Sequence, residues 1–127
     1  MAQTQLNHNE LFFGVHGEPA RTKKVTIKTF ASILKAGTVL CPNSSYEYIP
    51  PADYTTNPDG WVVLLQDVDA TGGNVASIPV GITGGVNKAD LLLVGTIAAY
   101  ADRVRMMLQK SGIYVQIGTN ATAVAGE

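Results

Sequence analysis

The sequence predicts a mainly β domain with α, an α+β fold: a compact small β domain of short strands with one C-terminal helix and an extended N-terminal arm. Three observations predict it. Short β-branched segments alternate apolar with polar side chains between clusters of Gly, Pro, Asn and Asp. A single late stretch carries helical periodicity, and the first ten residues hold one apolar anchor, Leu6. At 127 residues the chain makes one domain, long enough to bury roughly two-thirds of its unfolded surface.

Residues 1–22 read as a flexible arm, 23–117 as the compact domain and 118–127 as a small polar tail. Gln3, Gln5, Asn7, His8, Asn9 and Glu10 bury too little apolar surface to order themselves alone. Leu11-Phe12-Phe13-Gly14-Val15-His16-Gly17-Glu18-Pro19 takes an irregular extended path, because two glycines and a proline interrupt any helix. Its adjacent phenylalanines need a partner surface.

Lys24-Val25-Thr26-Ile27-Lys28 alternates as a half-exposed strand. Residues 33–40 offer Gly37 for a turn before a short strand, and Tyr46-Glu47-Tyr48-Ile49 forms another strand, ended by Pro50-Pro51. Residues 52–60, rich in Asp, Asn, Thr and Pro, form a surface loop. Trp61-Val62-Val63-Leu64-Leu65 is apolar throughout, too short and too β-branched for a buried helix, and reads as a central strand.

Asp67 and Asp69 end that run and start a turn through Thr71, Gly72, Gly73 and Asn74. Ile78, Val80 and Ile82 alternate with Ser77, Pro79 and Gly81; Pro79 has no N–H and places this strand at a sheet edge. The glycines of Gly81-Ile82-Thr83-Gly84-Gly85 then serve turn geometry. Ile97, Tyr100, Ala101, Val104, Met107 and Leu108 share one face of a helix over residues 97–110, which Gly112 stops. Ile113, Val115 and Ile117 alternate as a closing strand.

Charged residues make up only 15% of the chain, against about 25% in a typical soluble domain, which leaves much uncharged surface for assembly contacts. The net charge of -1 conceals a polarity: residues 1–30 carry Arg21, Lys23, Lys24 and Lys28 against Glu10 and Glu18, and the remainder carries five bases against eight acids. Three lysines on one short strand do not make the basic stripe that nucleic-acid binding requires. Cys41 stands alone and excludes an intrachain disulfide; it reads as a small buried hydrophobe. No signal-peptide apolar region or run of membrane-spanning length is present, so the chain is expected in the cytoplasm when made, with no membrane partner.

Chemistry is sparse. His8 and Glu10 form a His-x-Glu without the Cys-x-x-Cys of a zinc deaminase, and His8, His16 and Cys41 lack the close spacing of a zinc site. The glycine-rich stretch at 81–85 lacks the Lys-Ser/Thr of a phosphate loop. Asp67 and Asp69 share a strand face without a third carboxylate, so solvated strand-end acids are the default over catalysis or calcium. Asn43 and Asn120 open glycosylation sequons on a chain with no secretory signal. The expectation is no enzyme, no cofactor and no metal.

Placed in order, the segments become recognisable: Leu11 to Gly14, Lys24-Val25-Thr26-Ile27, Leu34-Lys35-Ala36-Gly37-Thr38-Val39-Leu40, Asp67-Val68-Asp69-Ala70-Thr71, Val80, Gly85-Val86-Asn87, and a late helix closing on Leu108 to Val115. This arrangement, covering about residues 11–115, resembles the lambda-type head decoration (capsid cementing) proteins of tailed bacteriophages. Two positions depart from that pattern: Cys41 stands where glycine is common, and Val86 where an aromatic is common. The resemblance implies a virion structural protein, made in the bacterial host's cytoplasm, that binds the outer surface of the capsid as a homotrimer at local threefold positions and stabilises the expanded shell. Its partners would be the major capsid protein and itself, with no nucleic acid.

The arm would reach the major capsid protein through Leu6, Leu11, Phe12, Phe13 and Val15, and deleting residues 1–20 should leave the domain folded. Gly37, Asp69, Thr71, Gly72, Gly73 and Gly85 would shape the turns of the rigid body. The alternative from another class is a soluble carbohydrate-binding module that stacks sugars on Trp61, Tyr46, Tyr48, Tyr54 and Tyr100.

Overall fold

The computed structural model describes residues 11–15, 17–53, 59–95, 97 and 101–116. Among these described residues the elements named in chain order are six strands and an α-helix: β1 (Arg21–Ile27), β2 (Val39–Pro42), β3 (Glu47–Ile49), β4 (Val62–Leu64), β5 (Val75–Asn87), a 3₁₀ turn (Lys88–Asp90), α1 (Ala101–Ser111) and β6 (Ile113–Gln116). The predicted mainly β fold with one helix is the fold observed. The strands lie in the order β1-β3-β2-β4-β5-β6, and a second pairing between β1 and β5 closes the first five into a small barrel. β6 sits outside it, parallel to the C-terminal half of β5.

Closure gives the apolar run 61–65 its meaning. Val62 and Leu64 turn into the barrel beside Ile27, Leu34, Leu40, Tyr48, Val68, Ala70, Ile78 and Val80. Trp61, Val63 and Leu65 turn outward, into a second core with Val39, Cys41, Val86, Ile97, Val104, Leu108, Ile113 and Val115. A strand covered on both faces has no polar side to show, so its sequence loses alternation. Within α1 the helix periodicity is obeyed, with Val104 and Leu108 buried and Asp102, Arg103, Gln109 and Lys110 exposed; Ile97, expected on the same helical face, is buried in a 3₁₀ turn ahead of it, and Tyr100 lies outside the described residues. Gly112, at φ 100°, ends α1 where its N–H donates to the Gln109 carbonyl.

Three expectations are corrected. Pro79 is not at an edge: it pairs with Lys24 on β1, and its carbonyl accepts the Leu65 N–H just past the end of β4. The missing N–H therefore falls where that ladder has already run out, and costs it little. Nor do the glycines at 81–85 make a turn. β5 runs straight through them for 13 residues, and Gly85, expected at a turn, pairs with Tyr114 of β6. The third correction concerns residues 11–22: Arg21 and Thr22 already belong to β1, and Leu11 and Phe12 are 2% and 3% exposed in the outer core.

Candidate assembly site

The glycines of β5 exist because another segment lies on them. A β-carbon on Gly81 would come within 2.6 Å of the Phe12 ring, one on Gly84 within 2.7 Å of the Phe13 carbonyl oxygen, and one on Gly85 within 2.5 Å of Phe13 Cε1 and 2.8 Å of Val15 Cγ1. Real β-carbons do not approach so closely, so the three positions form a seat that only glycine leaves open. Phe13 completes the docking through two backbone bonds: its N–H donates to the Gly85 carbonyl at 2.9 Å, and its carbonyl accepts the Gly85 N–H at 2.7 Å. Just beyond, the chain reverses. Glu18 N–H donates to the Val15 carbonyl at 2.9 Å around Gly17, which adopts φ 78°.

The residues expected to reach a capsid therefore separate. Leu11 and Phe12 are core side chains of the body and are not free to anchor elsewhere. Phe13 and Val15 are half-buried and border a shallow groove of about 470 Å³ with Gly14, Tyr114 and Gln116, of which Tyr114 is 45% exposed. Leu6 and His8 lie outside the described residues. The seat on β5 was not read from the sequence, although its signal was present: three glycines at i, i+3 and i+4 beside an otherwise β-prone run, and two phenylalanines without a partner.

The turn residues behave as structural pins. Gly37, at φ 100°, lies so close to the Asp90 carbonyl that a side chain would collide with it; its N–H donates to the Leu64 carbonyl at 2.7 Å and its carbonyl accepts the Leu92 N–H at 2.9 Å. Asp67 accepts the Ala36 N–H at 2.8 Å and faces Lys35 Nζ at 3.5 Å. Asp69 accepts the Thr71 hydroxyl at 2.6 Å and the Thr71 N–H at 3.1 Å, and these two bonds hold its carboxyl below the usual carboxylate range. Gly72 and Gly73 follow in that turn with open space beside both. Asp69 is thus spent on its own turn, as a solvated turn starter, whereas Asp67 ties its strand end to the distant Lys35-Ala36 turn.

The lone Cys41 is fully buried, and burial, with a lesser contribution from the Asp53 charge, pushes its thiol up to about 11. Among the described residues no three His, Cys, Asp or Glu side chains gather where an ion would fit, and no helix is long and apolar enough to cross a membrane. The aromatics proposed for sugar stacking also separate. Trp61 is 0% and Tyr48 6% exposed, Tyr46 is 83% exposed, and Tyr54 and Tyr100 lie outside the described residues. Among the described members of that set, Tyr46 alone offers a sugar an open ring.

Compared with models of known protein families and with curated proteins, the chain matches none.

Proposed function

We propose that this chain is a structural protein that decorates and stabilises the exterior of a phage capsid as a trimer at local threefold positions, with its leading segment engaging the major capsid protein. The observation that carries the reading is the ordered set of segments that resembles the lambda-type decoration proteins, from Leu11-Phe12-Phe13-Gly14 through Val68-Asp69-Ala70-Thr71 to the late helix. Two features of the fold support it. A rigid barrel holds the root of the leading segment at Leu11, Phe12 and Phe13, so residues 1–10 depart from a fixed point. The surface carries few charges, as repeated packing contacts favour.

The physics of such a device follows from the sequence of residues 1–10. A polar segment that orders on a partner by strand addition spends about 2–5 kcal/mol of the gross interaction in ordering, so one arm binds weakly. Three arms on one trimer raise avidity by roughly 10²–10⁴. Light scattering of the pure chain, followed by co-sedimentation with undecorated expanded heads of its phage, tests the proposal. Saturation at multiples of three copies, with heads that withstand a higher temperature, is the expected result. A chain that remains in the supernatant and binds glycans on an array would reverse the reading in favour of a carbohydrate-binding module.

A further inference from the structure

We propose that β1, along Arg21 to Val25, takes up an extended acidic segment of a partner polypeptide as an added strand. This inference does not depend on the capsid reading. β1 is longer than the barrel needs on one side: it pairs with β5 from Arg21 to Ile27, whereas β3 meets it only at Thr26 and Ile27. Among the described residues nothing pairs with the rest of that margin, and Arg21, Thr22, Lys23 and Lys24 are all exposed.

The backbone there points outward. Pro79, opposite Lys24, directs its carbonyl to Leu65 and hence toward β4, and Gly81, opposite Thr22, pairs with Val63 of β4. In an antiparallel ladder the residues facing such positions aim their own N–H and C=O away from the shared seam. Thr22 and Lys24 therefore present their backbone groups to the open side, in line with Thr26, whose groups β3 uses. β3 cannot extend to meet them. Asn43 Oδ1 accepts the N–H groups of Ser45 and Glu47, both at 2.9 Å, and this turn throws Tyr46 into φ 61° just before β3 begins.

Charge selects the occupant. Among the described residues no carboxylate lies within ion-pair distance of Arg21, Lys23 or Lys24, whereas Lys28, Lys35 and Lys110 each have one. Lys23 Nζ rests 5.3 Å from the centre of the Tyr48 ring, and a shallow groove beside it is lined by Lys24, Tyr46 and Ser77, the last at φ 62°. Positive φ on a non-glycine residue is costly, and the described residues show it only at Tyr46 and Ser77, both on this groove. Lysines on a sheet edge repel a second copy of the same strand and by the same charge attract an acidic one. The chain's own residues 1–10 and 117–127 contain one acid each, which makes them poor candidates.

The probe is a blocked nonapeptide alternating Thr and Glu, titrated at low salt into the isotopically labelled full chain. The Thr22 and Lys24 amides should shift and gain protection from solvent exchange, and K23E/K24E should weaken binding by about tenfold or more. Lys24→Pro should abolish the protection at Thr22 while Lys24→Gln retains it; the Lys23 amide, which faces β5, reports whether the strand is intact in both, and K23E/K24E carries the test if proline unseats it. Shifts spread over all lysines without amide protection, equal binding of the Lys-for-Glu peptide, or binding of oligothymidylate in place of the peptide would overturn the proposal.

Discussion

At single residues, the outer core depends on Phe12 and the glycine beneath it. Phe12→Ala should lose about 3–5 kcal/mol in urea unfolding, as removal of a fully buried aromatic does; an anchor waiting for an external partner would change stability little. Gly81→Ala brings a methyl to 2.6 Å from the same ring and should cost about 1–3 kcal/mol by overpacking. Asp69 carries a pH dependence of known sign. Its folded-state pKa lies below the ordinary 3.8, so its contribution is present above that value and is lost as pH falls through the lower one. Asp69→Asn should flatten the acid limb of the stability profile below about pH 4, while leaving the neutral limb's shape unchanged. Cys41 shows the opposite sign: with its thiol raised to about 11, any stability it lends is complete below the unfolded value and lost as pH rises toward 11. In native protein it should resist a thiol reagent that labels it promptly in urea.

Among the elements, what the sequence made legible depended on how many faces each strand exposes. β1 exposes both faces from Arg21 to Lys24 and buries only Ile27 fully, with Val25 half-buried, so apolar side chains alternate with polar ones only over its last residues; β4 is buried on both faces and shows a block. β5 follows neither pattern. Gly81, Gly84 and Gly85 look like turn residues because no local rule distinguishes a glycine that bends the chain from one that makes room for a distant ring, and here the ring arrives from some 70 positions earlier. Pro79 misled similarly, since whether a missing N–H matters depends on where the neighbouring β4 stops. The helix stop was read correctly: Gly112 at φ 100° has Thr83 Cγ2 only 3.0 Å from where a β-carbon would stand. Gly112→Ala should cost about 1 kcal/mol, visible as a shift of the urea midpoint with unchanged slope.

For the molecule as a whole, a boundary between body and leading segment at residue 22 does not hold, because Leu11 and Phe12 already belong to the body. An arm ending at 22 would need Leu11 and Phe12 in solvent, and both are sealed into the outer core with Val86, Leu108 and Ile113. Removing residues 1–20 therefore empties part of that core and should destabilise the domain, against the expectation drawn from sequence. Removing residues 1–10 takes away no described core side chain. The most direct measurement is co-sedimentation with undecorated expanded heads, performed on the full chain and on a chain lacking residues 1–10 that melts at the same temperature. The full chain should pellet with the heads and the shortened one stay in solution; a shortened chain that pellets as well would contradict a role for residues 1–10 and leave the body alone holding the shell.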